Sequence, residues 1–128
     1  MKALVIPELD PVFEVDLHTG GDGARLAQLQ ELVGGWIQAL PVGDLPDTTC
    51  YLNEEGKFTC DLNPRATVLL TSTFPTLLPG DYIAGPLVVA GFNPARGDDP
   101  ETGGHTDLPD RVVHRVWALP GADREIRA

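Results

Sequence analysis

Residues 3–7, Ala-Leu-Val-Ile-Pro, form an unbroken apolar run, which predicts a strand buried on both faces. After a turn at Glu8-Leu9-Asp10-Pro11, Phe13, Val15 and Leu17 alternate with polar residues, the period of a half-buried strand. These two segments predict an opening β-hairpin. Leu26, Leu29, Leu32 and Val33 then fall on one face of a helix over about residues 24–33, with Asp22 as its cap and Gly34-Gly35 as its stop. Val5, Phe13, Val15, Leu29, Leu32 and Val33 are the expected core of this part. Trp36–Leu40 reads as the strand leaving the helix.

Tyr51–Asn53 and Lys57–Thr59 flank Glu54-Glu55-Gly56, which predicts a hairpin with a three-residue loop and Gly56 at positive φ. In that register Cys50 faces Cys60. Such a pair can be two thiols, a cross-strand disulfide or half of a zinc site. Asn63-Pro64 marks a short helix over about 64–70, capped by Asn63. Leu78-Pro79-Gly80-Asp81 is a turn with Gly80 at positive φ. It leads into Tyr82–Gly91, a strand bent at Gly85-Pro86. Residues 93–106 are rich in Gly, Pro and Asp and are expected to form a mobile linker. A last helix over about 108–119 should dock through Val112, Val113, Val116 and Trp117.

The expected organisation is a compact domain over 1–92, the linker, and a C-terminal helix and tail over 107–128. The fold class is a small α+β domain with a mixed or antiparallel sheet, and its hairpin–helix–strand opening resembles the β-grasp order.

Composition narrows function more than fold. Nineteen acidic against nine basic residues give a net charge of -10. Residues 1–92 carry twelve acids and four bases, residues 93–128 seven and five. That balance opposes binding to a nucleic-acid backbone, which depends on Lys and Arg neutralising phosphates, and to anionic lipid. No stretch is long and apolar enough for a membrane span, and the N-terminus does not read as a signal peptide, so a cytoplasmic location is expected.

Several segments in order, Met1–Pro7, Glu31–Ile37, Tyr51–Lys57, Asn63–Thr67 and Leu78–Val89, resemble a family of small proteins of actinobacteria and their phages, the domain of unknown function DUF3846. The likeness covers about residues 1–92 and, loosely, the final helix. It implies a phage or mobile-element setting, and host cytoplasm as the location of a phage-encoded member. It supplies no catalytic residues.

Candidate chemistry is sparse. Gly20-Gly21-Asp22-Gly23 lacks the Lys-Ser or Lys-Thr of a phosphate loop, and His18, His105 and His114 have no metal-ligand spacing. No enzyme, cofactor or metal centre is expected. Arg111, His114 and Arg115 share one side of the last helix, beside Trp117, and Arg65 stands in the first turn of a short helix, where a cation opposes the dipole. These five are the candidate anion-binding residues. The expected function is a non-enzymatic accessory protein that binds a host protein, with self-association into a homo-oligomer as a further expectation. The alternative is a binder of an anionic small molecule such as a nucleotide signal of host defence.

Overall fold

The computed structural model describes residues 1–18, 23–93 and 104–124. The apolar run at the N-terminus becomes β1 (Lys2–Ile6), a strand buried on both faces. It pairs with β2 (Phe13–Asp16) on one side and β5 (Leu87–Phe92) on the other. β4 (Thr48–Asn53) lies beyond β5, and β3 (Ile37–Pro41) forms the far edge, giving the order β2-β1-β5-β4-β3. The two residues of β6 (His105–Thr106) pair with the end of β5. Every ladder among the described residues is antiparallel. The strand following the first helix thus goes to the sheet edge instead of beside the opening hairpin.

Alternation along β1, β4 and β5 sends side chains into two cores. Ala3, Val5, Tyr51, Val88 and Ala90 pack against Leu29 and Val33 of α1 (Ala24–Val33). Leu4, Ile6, Cys50, Leu87 and Val89 pack against the opposite layer. That layer is α3 (Pro64–Val68), a π-helical turn over Leu69–Thr73, and α4 (Asp110–Trp117). A sheet covered on both sides explains why β1 and β5 read as continuous apolar runs.

α1 keeps the bounds expected from its periodicity, and Gly34 ends it at φ 79°. Its N-cap is Gly23, and Asp22 and the rest of the Gly20–Gly23 stretch before it lie outside the described residues. Gly80 has φ 83°, as its turn requires. Phe13 does not join the core: α1 lies mainly over β3, β4 and β5, and while Val15 of the edge strand β2 still packs against that core, Phe13 is 43% exposed.

The expected second hairpin is replaced. After β4 the chain enters α2 (Gly56–Thr59), not a return strand. The Asn53 side chain accepts from the Glu55 N–H at 2.8 Å, a local turn that outcompetes strand pairing. Gly56 is not at positive φ. It is needed because a Cβ there would stand 2.6 Å from the Ala84 carbonyl oxygen. Cys50 therefore faces Leu40 and Val89, and Cys60 follows α2. Both are free thiols, and burial pushes the Cys50 thiol up to about 12.

The C-terminal segment belongs to the same core. Gly91 lets β6 cross closely, since a Cβ there would meet the Asp107 carbonyl oxygen at 2.3 Å. Residues 105 and 106 are thus part of the sheet, while 94–103 of the expected mobile linker lie outside the described residues. α4 docks through Val112 and Val116, extended by Leu108, Leu119 and Ala122. Val113 is only partly buried, and Trp117, expected as the anchor, is 42% exposed. The spacing 108, 112, 116, 119 selects a face rotated away from Trp117. Val116→Ala should therefore lower stability by about 2 kcal/mol, and Trp117→Ala by less than about 1 kcal/mol. Urea unfolding of the two variants measures both.

Candidate functional site

The five candidate anion ligands do not converge. Arg65 is buried, and both of its Nη groups are spent on the chain's own carbonyls, while the buried Nε makes no hydrogen bond among the described residues. The Nη groups donate to Gly121 at 2.9 Å, Pro7 at 3.0 Å and Arg124 at 3.4 Å, and also to the Asp10 carbonyl. The cation so ties α3 to the β1–β2 turn and to the tail after α4. Burial draws its pKa down, partly opposed by the Asp10 carboxylate. Arg111 Nη2 donates to both Asp47 carboxylate oxygens at 2.7 and 2.6 Å, clasping α4 to the loop before β4. That hydrogen bond holds the Asp47 carboxyl below its usual range. His114, Arg115 and Trp117 are exposed on α4.

A polar cluster that the sequence did not single out lies on the α1 side of the sheet. Arg25, Tyr51 and His105 are all buried. Arg25 Nη1 meets His105 Nδ1 at 2.9 Å, and Tyr51 Oη meets His105 Nε2 at 2.7 Å. Because a guanidinium only donates, Nδ1 must accept, and the ring proton sits on Nε2, donated to Tyr51. Arg25 also donates through Nε to the His18 carbonyl at 2.7 Å. The Phe92 ring meets the imidazole edge-on, with centroids 6.4 Å apart. Helix periodicity marks Arg25 only as an N-terminal charge, and His105 stands in a Gly-rich stretch, so only the fold brings them together.

Burial first and the Arg25 charge second push His105 down from 6.5 to about 4. Between these values the unfolded chain takes up a proton that the folded chain refuses. Stability should fall as pH drops from about 6.5 to about 4, by about 2 kcal/mol once screening is allowed for. His105→Gln, which can still accept from Arg25 and donate to Tyr51, should flatten that slope in pH-dependent urea unfolding.

Tyr51 and Phe92 also line a cavity of about 470 Å³, walled by Ala39, Pro41, Val42 and Leu45. Among the described residues that line it, Tyr51 is the one ionisable side chain, so the cavity suits uncharged groups.

On the opposite side, around α2, apolar side chains stand in water. Phe58 is 91% exposed, Leu78 77%, Leu62 54% and Tyr82 39%. Phe58 and Tyr82 border one shallow cleft with Gln38, Leu52 and Glu54. Lys57 Nζ lies 4.8 Å above the Tyr82 ring and pairs with Asp81, so the patch's cation is already engaged. Glu54, Glu55 and Asp61 are neighbours of this patch along the chain.

The family model of a domain of unknown function, DUF3846, matches residues 1–119. The chain belongs to the DUF3846 family. No curated protein and no solved structure matches it. The DUF3846 match runs through α4, past the residues 1–92 that the sequence motifs span, and agrees with a core to which α4 contributes Val112 and Val116. It takes in the Arg25–His105–Tyr51 cluster, the cavity and the Phe58 surface. Among the described residues of this DUF3846 protein no helix is long and apolar enough to cross a membrane.

Proposed function

We propose that this DUF3846 protein is a non-enzymatic accessory protein, of phage or mobile-element type, that binds a host protein through the surface around α2. The observation that carries this is Phe58, 91% exposed on a four-residue helix and sharing a shallow cleft with the exposed Tyr82. Exposed Leu62 stands four residues along the chain, and exposed Leu78 in the turn to Asp81, the partner of Lys57. Covering a large apolar side chain yields about 1.5–3 kcal/mol, and grouped exposure of this kind marks contact surfaces. The charge around it, Glu54, Glu55, Asp61 and Asp81 against Lys57 alone, favours a basic partner surface. The resemblance to phage proteins supports the setting. The alternative of an anionic small-molecule site is weakened because Arg65 and Arg111 already serve the chain's own carbonyls and Asp47.

Photo-crosslinking from position 58 in host cells tests the reading. One basic protein should be captured, and lost on Leu78→Ser and Tyr82→Ser at unchanged thermal midpoint. Absence of any specific adduct, with a midpoint raised by a nucleotide, would replace this reading by the anion-binding one.

A further inference from the structure

We propose that β3 is an open pairing edge and that a second copy of this chain docks on it, strand to strand, about a two-fold axis at Ala39. Among the described residues β3 ends the sheet, paired on one side only with β4. Glu54 N–H donates to the Trp36 carbonyl and Val42 N–H to the Thr48 carbonyl. Both flanking bonds thus involve even-numbered β3-side residues. In an antiparallel ladder bonding alternates, so Ile37 and Ala39 aim their N–H and C=O groups outward, and Pro41 presents a carbonyl there.

The two sheet edges are unlike. The outward residues of β2 are Glu14 and Asp16, which pair with Lys2 and the N-terminus. Charges of this kind discourage strand addition. Ile37-Gln38-Ala39-Leu40-Pro41 carries no charge at all, in a chain of net charge -10. β3 is therefore the edge where two acidic copies can meet without like charges facing across the strands.

The edge is also self-complementary. With Ala39 opposite Ala39 of the second copy, the two residues exchange both N–H···O=C bonds. Ile37 then lies opposite Pro41 of the second copy, where its N–H meets a carbonyl, while the proline, lacking an N–H, leaves the Ile37 carbonyl to water. Each outward N–H of β3 finds an acceptor. Trp36, 72% exposed, takes the register position opposite Val42 of the second copy and loses water there. The Ala39 and Pro41 rim of the cavity comes to lie at the junction. A five-residue edge with one large ring is small beside a standard interface of about 800 Å² per partner, so the dimer is weak and concentration-dependent.

This proposal is independent of the partner surface around Phe58. Sedimentation equilibrium of the full chain over about 5–500 µM should show mass doubling with concentration. Ala39→Lys, which sets two like charges across the axis while making the chain less acidic, and Ala39→Pro should hold it monomeric. Glu14→Pro on the other edge should leave the dimer intact. Ala39→Cys should crosslink two copies under mild oxidation, since paired Cα atoms at about 5.5 Å suit a disulfide, whereas Gln38→Cys should not. A wild type that stays monomeric throughout, or a dimer that survives both Ala39→Lys and Ala39→Pro, overturns the proposal.

Discussion

Replacing Asn63 by leucine should cost about 3–6 kcal/mol, enough to unfold a large share of the molecules at ordinary temperatures if stability lies in the usual range of about 5–15 kcal/mol. Asn63 is fully buried, and its side chain joins three segments. Nδ2 donates to the Ile6 carbonyl at 2.8 Å and the Gly85 carbonyl at 2.9 Å, while Oδ1 accepts from the Ala66 N–H at 3.1 Å. Leucine fills a similar volume but leaves two carbonyls and one N–H buried without partners, at about 1–3 kcal/mol each. Asn63→Asp separates the contributions. It keeps the cap to Ala66 but, when ionised, turns an acceptor towards two carbonyls, so it should be no better tolerated than leucine. Urea midpoints of both variants, with an unchanged slope, give the measurement.

The second large effect is expected at Arg65. Arg65→Met should lower stability by about 3 kcal/mol, because the carbonyls of Pro7, Asp10, Gly121 and Arg124 lose their shared donor in a buried place. Arg65→Lys keeps the charge but lacks the planar fork that reaches several acceptors, and should recover less than half of the loss. Proteolysis should then cut first near residues 120–124, whose backbone Arg65 holds. If Arg65 were instead a ligand-binding cation, the methionine variant would keep its midpoint and lose a nucleotide-induced shift. The geometry at Arg65 gives the first outcome.

These two residues show how local and tertiary information divide. Asn63 was legible as a cap, because Asn followed by Pro is a signal contained within four residues. That the same amide also bridges Ile6 and Gly85 lies beyond any local pattern. Arg65 could be seen as a cation at an unfavourable helix position, which asks for a partner. The partners proved to be carbonyls from 55 to 59 residues away in sequence, and no periodicity encodes those.

The sequence by itself determined the α+β class, the bounds of α1, the strand β1 buried on both faces, the stops at Gly34 and Gly80, and membership in DUF3846. Family membership rests on several motifs that resemble the family in order along the chain, and each of the others on side-chain period or on turn chemistry confined to a few residues. Only the tertiary structure decided the rest. It placed β3 at a sheet edge, converted Lys57–Thr59 from strand to helix, and parted Cys50 from Cys60. It also turned α4 onto Val112 and Val116 instead of Trp117, and joined Arg25 and His105 across 80 positions. The physical reason is the same throughout. A period says which side chains avoid water, but the surface they meet is set by close approaches such as Gly56 on Ala84 and Gly91 on Asp107, and by buried polar groups that must find partners wherever the chain brings them.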